Sequence, residues 1–187
     1  TIFILFMLNK LNLIDNSIIS DQSINLIIFI LLLLLLLNIF NILMLGDSGA
    51  YLLGFFIGFI IISSHINNPN VSPYFFISLI WYPCFENLFS ILRKLNREFS
   101  PLKPDSKHLH QLFLFFLTKK FALKLITSNN LGSAIIFFFN FLIVYISTLN
   151  PSSTFFQIKL IAASIIFYNV SYMLLFKFYK SNLMFKK

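Results

Sequence analysis

LIIFILLLLLLLNIFNILML, residues 26–45, contains no charged side chain. At about 1.5 Å of helix per residue, a run of that length matches the roughly 30 Å hydrocarbon core of a bilayer. In lipid a helix satisfies every backbone polar group within itself, so such a run reads as a span. Working outward, four further runs have nearly the same character: Gly49 to Ile62 extended by Ser63 and Ser64, Tyr74 to Leu92, Leu131 to Leu149, and Leu160 to Phe176. The chain is 58% hydrophobic and 11% charged with a mean hydropathy of +0.87, a balance that a soluble domain could not keep off its surface. The expected fold is an all-α integral membrane protein, a polytopic helical bundle forming a single membrane domain over 1–187. Its spans are expected at 26–45, 49–64, 74–92, 131–149 and 160–176. Thr1 to Leu8 is also apolar and reads as a partial N-terminal helix that begins part-way along.

The net charge of +8 suggests a nucleic-acid footprint until its location is examined. Arg93, Lys94, Arg97, Lys103, Lys107, Lys119, Lys120 and Lys124 lie in one segment, 93–130, and Lys177, Lys180, Lys186 and Lys187 in the C-terminal tail. The remaining loops hold only Lys10 and Lys159. Clustering of this kind is membrane orientation: the positive-inside rule puts the loop 93–130 and the tail in the cytoplasm, and nucleic acid is not an expected partner. Alternation of sides puts Gly46-Asp47-Ser48 there too. The lone cysteine, Cys84, sits in an apolar run and reads as packing, with no intramolecular disulfide possible. The abundance of Phe, Ile, Asn and Lys suits an AT-rich genome, which leaves the rarer polar residues to carry the functional reading.

Three polar constellations then share the cytoplasmic side. Gly46-Asp47-Ser48-Gly49 reads as a tight turn in which Asp47 or Ser48 caps the next helix, and a carboxylate there is a candidate Mg²⁺ ligand. Its plain alternative is a capping Asp with no metal. In the third span, Tyr82, Glu86, Ser90, Arg93 and Arg97 recur at helical spacing and form one polar stripe on an apolar helix. An ionised Glu86 belongs toward the bundle interior, either at a functional site or in a structural ion pair locking helices. In Ser100 to Gln111 two prolines forbid a continuous helix before Asp105, and Asp105 or Ser106 is placed to cap a helix through Leu112 and Phe116. Lys103, Lys107 and His108 around such a helix start outline a phosphate site, against the alternative of an interfacial helix near lipid headgroups. On a regular helix His108 and His110 point apart, so they converge only if this stretch is irregular. Zinc is a possible role for paired histidines, but no third ligand of suitable spacing is evident.

These residues resemble the polyprenyl-phosphate N-acetylhexosamine-1-phosphate transferases of the MraY/WecA type, glycosyltransferase family 4. Leu45-Gly46-Asp47-Ser48-Gly49-Ala50-Tyr51-Leu52-Leu53-Gly54 resembles the family's Gly-Asp-x-Gly-Ser motif opening a membrane helix. Pro101-Leu102-Lys103-Pro104-Asp105-Ser106-Lys107-His108-Leu109-His110-Gln111 resembles its histidine-rich cytoplasmic loop. The resemblance implies transfer of N-acetylhexosamine 1-phosphate from a UDP-sugar to polyprenyl (undecaprenyl) phosphate, with release of UMP and a need for Mg²⁺. Such a reaction is the first membrane step of cell-wall or lipopolysaccharide synthesis in a bacterial inner (plasma) membrane. It also implies roles: Asp47, His108 and His110 catalytic, with Asp47 holding the metal; Arg93, Arg97, Lys107 and Asp105 as substrate partners; Gly46 and Gly49 shaping the turn. A homodimer is compatible with it.

The sequence departs from the family in places. Gln111 stands where a further histidine is often found, and His108-Leu109-His110 is nearer the GlcNAc-type members. No Asp-Asp pair occurs. Asn9, Asn12 and Asp15 echo an Asn-x-x-Asn-x-x-Asp motif, but Ile18 replaces its next aspartate and one span separates Asp15 from Asp47, so the echo reads as chance in an outer loop. The match covers the C-terminal half of such an enzyme, and residues 1–187 alone are expected to be inactive. The alternatives are a transporter component, with Glu86 and Asp47 binding a coupling ion, and a non-catalytic remnant of a transferase.

Overall fold

A computed structural model describes residues 1–15, 19–40, 42–43, 45–95 and 107–184, and every element in them is helical. In chain order these are α1 (Ile2–Lys10), α2 (Asp21–Ile39), α3 (Gly46–Asn67), α4 (Pro73–Leu79), α5 (Trp81–Leu95), α6 (Leu109–Lys120), α7 (Leu125–Ser147) and α8 (Thr154–Met184). Helices α2, α3, α7 and α8 are long and apolar enough to cross a membrane, and α4 with α5 makes a fifth if taken as one broken span. Helix α2 leaves most of its apolar surface uncovered. Ile24 and Leu31 are its buried residues, while Phe29, Leu33 and Leu36 are about half exposed or more.

Several boundaries differ from the sequence reading for local reasons. Helix α2 starts at Asp21, five residues before the expected span, because the Ser20 hydroxyl caps it by accepting the Ser23 N–H at 3.3 Å. It ends at Ile39, so the connection falls before Gly46. Gly46-Asp47-Ser48 is therefore the first turn of α3 rather than the turn between helices. The expected span 74–92 is broken at Ile80. Pro83 has no N–H to donate to Leu79 and its ring crowds that carbonyl, so a new helix begins at Trp81. Within the expected loop 93–130 lies α6, and α7 already starts at Leu125. Helix α8 runs through Lys177 and Lys180, which the sequence reading assigned to a tail.

The described chain forms two compact units. The first comprises 1–79 and 144–157. In it α1 packs Leu5 and Leu8, at 1% and 0% exposure, and Asn68 ties the end of α3 to the N-terminal segment by donating to the Leu13 and Ser64 carbonyls at 3.0 and 2.8 Å. Its interior carries a polar chain. The Ser78 hydroxyl meets Phe75 O at 2.6 Å and Ser147 Oγ at 2.5 Å, and Ser147 donates to Gln157 Oε1 at 2.8 Å. Gln157 returns both amide protons to Ser147 O and Asn150 O, at 2.8 and 3.0 Å. Ser78, Ser147 and Gln157 are fully buried, and each is satisfied by the others.

The second unit comprises 80–143 and 158–187. Its core is aromatic: Trp81, Leu109, Leu112, Ile143, Tyr168, Tyr172 and Leu175, with Phe85 and Phe89 packed edge-on against Tyr168. Helix α7 passes α6 at Gly132, where a Cβ would sit 3.4 Å from Phe113 Cβ, in ordinary contact. Cys84 is exposed, not packed. The polar stripe sets the buried face of α5, and position 84 is turned well away from position 86 around a helix.

Candidate functional site

Helix α5 presents Tyr82, Glu86, Ser90 and Arg93 along its less exposed side, as the spacing predicts, and Glu86 and Ser90 are buried. Two of these residues fasten the start of α6. Glu86 Oε1 accepts from His108 Nδ1 at 3.0 Å and from the Leu109 N–H at 3.2 Å, and Glu86 Oε2 accepts from the Tyr168 hydroxyl at 2.6 Å. A carboxylate that is 9% exposed is tolerable only with such partners. About two turns further along α5, Arg93 Nη1 donates to the Lys107 carbonyl at 2.8 Å and to the Tyr172 hydroxyl at 2.5 Å. The Arg93 guanidinium also lies over the Phe89 and Tyr172 rings, 5.7 and 5.2 Å from their centroids.

The start of α6 is set by these contacts. His108 is its N-cap, with extended backbone at φ −69 and ψ 155, and the Gln111 side chain accepts the His108 N–H at 3.2 Å. The cap expected at Asp105 or Ser106 falls outside the described residues, and the described helix begins after them because Glu86 meets the Leu109 N–H. With His108 outside the helix, the irregularity needed to bring the histidines together is present. Their rings lie nearly parallel, 5.7 Å apart and 12° from coplanar orientation. His110 is exposed, yet partial desolvation and then His108 lower its pKa, with Glu86 opposing, so it is neutral at pH 7.

Beside this cluster the second unit holds an apolar cavity of about 460 Å³. Leu109 and Tyr168, both hydrogen-bonded to Glu86, line it along with Tyr82, Phe113, Ala134 and Phe139.

Asp47 belongs to the first unit, in the first turn of α3, and is exposed. Gly46 enters that turn at φ +68, a backbone conformation costly to any residue with a Cβ, and a Cβ at Gly49 would collide with Leu45 Cγ at 2.7 Å. Asp15 accepts from Asn67 Nδ2 at 3.1 Å, at the far end of α3. Twenty residues of helix separate it from Asp47 by about 30 Å, so the two cannot share a metal. Among the described residues no three His, Cys, Asp or Glu side chains converge on one point. Arg97 and Asp105 lie outside the described residues. The structure thus gathers Glu86, Arg93, Lys107, His108 and His110 in one unit. Tyr168 and Tyr172 also belong to this cluster and were not anticipated. The signal available was their spacing of four on α8, which an apolar helix full of aromatics hides. No family model, curated protein or solved structure matches the chain.

Proposed function

We propose that the chain serves the transfer of N-acetylhexosamine 1-phosphate from a UDP-sugar to polyprenyl phosphate, with release of UMP, at the cytoplasmic face of a bacterial plasma membrane. The observation that carries this reading is the clasp on Lys107-His108-Leu109-His110. Two side chains of an apolar helix hold that motif at the start of α6, with both imidazoles side by side. Phosphoryl transfer depends mainly on positioning and charge stabilisation, which is what such a held cationic and imidazole-bearing turn offers a diphosphate. The adjoining apolar cavity suits part of a hydrocarbon tail.

On this reading His108, His110 and Lys107 address the diphosphate, with Asp105 and Arg97 as further substrate partners from the motif resemblance. Arg93 acts on Lys107 through its carbonyl. Asp47 would hold Mg²⁺, and an exposed carboxylate in the first turn of a helix fits an ion that keeps several waters and uses one or two carboxylates. The test uses membranes containing the gene product that carries this chain. Asp47→Asn should abolish Mg²⁺-dependent transfer from UDP-GlcNAc to polyprenyl phosphate, and His108→Ala should lower it by roughly 10²-fold or more. Near-normal turnover by Asp47→Asn would remove the metal assignment, and no UMP release by the unmutated protein from any UDP-N-acetylhexosamine would remove the function.

A further inference from the structure

We infer that Glu86 is a positioning residue for His108: its carboxylate takes the Nδ1–H of the imidazole, which leaves Nε2 as the ring nitrogen that addresses a ligand. The functional consequence rests on the transfer reading, while the positioning itself rests on geometry. Neutral imidazole in water distributes its proton between two tautomers, and a fixed acceptor on one nitrogen selects one of them. Glu86 is such an acceptor. Its Oε1 receives the Leu109 N–H and its Oε2 the Tyr168 hydroxyl, so the carboxylate cannot turn away from Nδ1 without abandoning two other donors.

The backbone on either side of His108 is held as well. Arg93 grips the Lys107 carbonyl, Glu86 the Leu109 N–H, and Gln111 the N–H of His108 itself. The imidazole therefore has little freedom to flip. Its side chain is 25% exposed against 11% for that of Glu86, so the imidazole is the more accessible member of the pair. The charged or titratable groups around the pair are Tyr82 and Arg93 from α5, His110 from α6, and Tyr168 and Tyr172 from α8. Arg93 and Tyr172 bond one another, and Tyr168 bonds Glu86 rather than His108.

The test is nitrogen NMR of the imidazole-labelled chain in lipid nanodiscs, at a pH where the histidines are neutral. His108 should carry its proton on Nδ1, and His110 should show the mixture of free imidazole. Glu86→Ala should move His108 to that mixture, and Glu86→Gln, which keeps an acceptor for Leu109, should weaken the Nδ1 preference. Tyr168→Phe should leave it in place. A wild-type His108 protonated on Nε2 overturns the proposal even if both Glu86 variants fail to fold, and so does a folded Glu86→Ala with an unchanged tautomer. In the gene product that performs transfer, Glu86→Gln should lower kcat roughly tenfold to hundredfold, by analogy with the loss of an outer partner of a metal-ligating histidine. A protein with the Nδ1–H tautomer and no transfer would refute the transfer reading and leave the positioning intact.

Discussion

At Ala122 the backbone enters the left-handed region, φ +50, just after the C-cap of α6 at Phe121. Glycine is the residue that ordinarily closes a helix in this way, and a Cβ there is strained. Ala122→Gly should therefore raise stability by about 0.5–1 kcal/mol, the strain relieved less the extra freedom of the unfolded glycine. Thermal unfolding in detergent would show it as a higher midpoint, and a lower one would contradict the assigned turn. Gly46→Ala should do the reverse, costing about 1 kcal/mol for placing a Cβ at φ +68. The polar stripe on α5 was legible at this scale, because a period near four on an apolar background needs no tertiary information. The tyrosine partners of Glu86 and Arg93 were not legible, because Tyr168 and Tyr172 are two aromatics among many on α8 until packing selects them.

Elements end where a local group intervenes. Pro83 breaks the third span, Ser20 starts α2 early, and the turn between α7 and α8 is closed by Gln157, whose amide protons go to Ser147 O and Asn150 O. Gln157→Leu keeps the volume but strands two carbonyls and removes one partner of the Ser147 hydroxyl, which keeps Ser78. It should cost about 1–3 kcal/mol. Ser78→Ala removes one end of the same chain while Ser147 keeps Gln157, so its cost should stay near the ~0.6 kcal/mol typical of a hydrogen bond between membrane helices. Comparing the two midpoints in detergent checks the direction of the chain; equal losses would mean that Gln157 is not its hub. Long apolar helices were readable from hydropathy, but their ends were not, since caps and prolines act over one or two residues and hydropathy averages over many.

For the whole molecule, the arrangement of Lys and Arg predicts a single orientation. In a Cys84→Ser background, cysteines at Lys119 and Lys180, both exposed, should be shielded from an impermeant thiol reagent in intact cells, and one at the exposed Asn70 should react. Labelling at position 119 from outside would reverse the orientation and overturn the proposal that a transfer reaction takes place on the cytoplasmic side. The 22 residues of α3 hold Asp47 and the Asn67 partner of Asp15 at opposite ends, about 30 Å apart.

The sequence by itself determined the all-helical class, the number of apolar runs and the polar face of α5. Each of these follows from the solvent a helix meets or from the 3.6-residue period, and neither depends on neighbours. It also made Asp47 and the two histidines conspicuous, since polar groups are rare in so apolar a chain. Tertiary structure alone decided that Glu86 and Arg93 hold the Lys107–His110 turn, that His108 sits outside the helix and His110 in it, and that Tyr168 completes the carboxylate's partners. The reason is physical: a buried carboxylate takes whichever donors packing brings within about 3 Å, and residues from 82 to 172 along the chain meet there only after α5, α6 and α8 have packed.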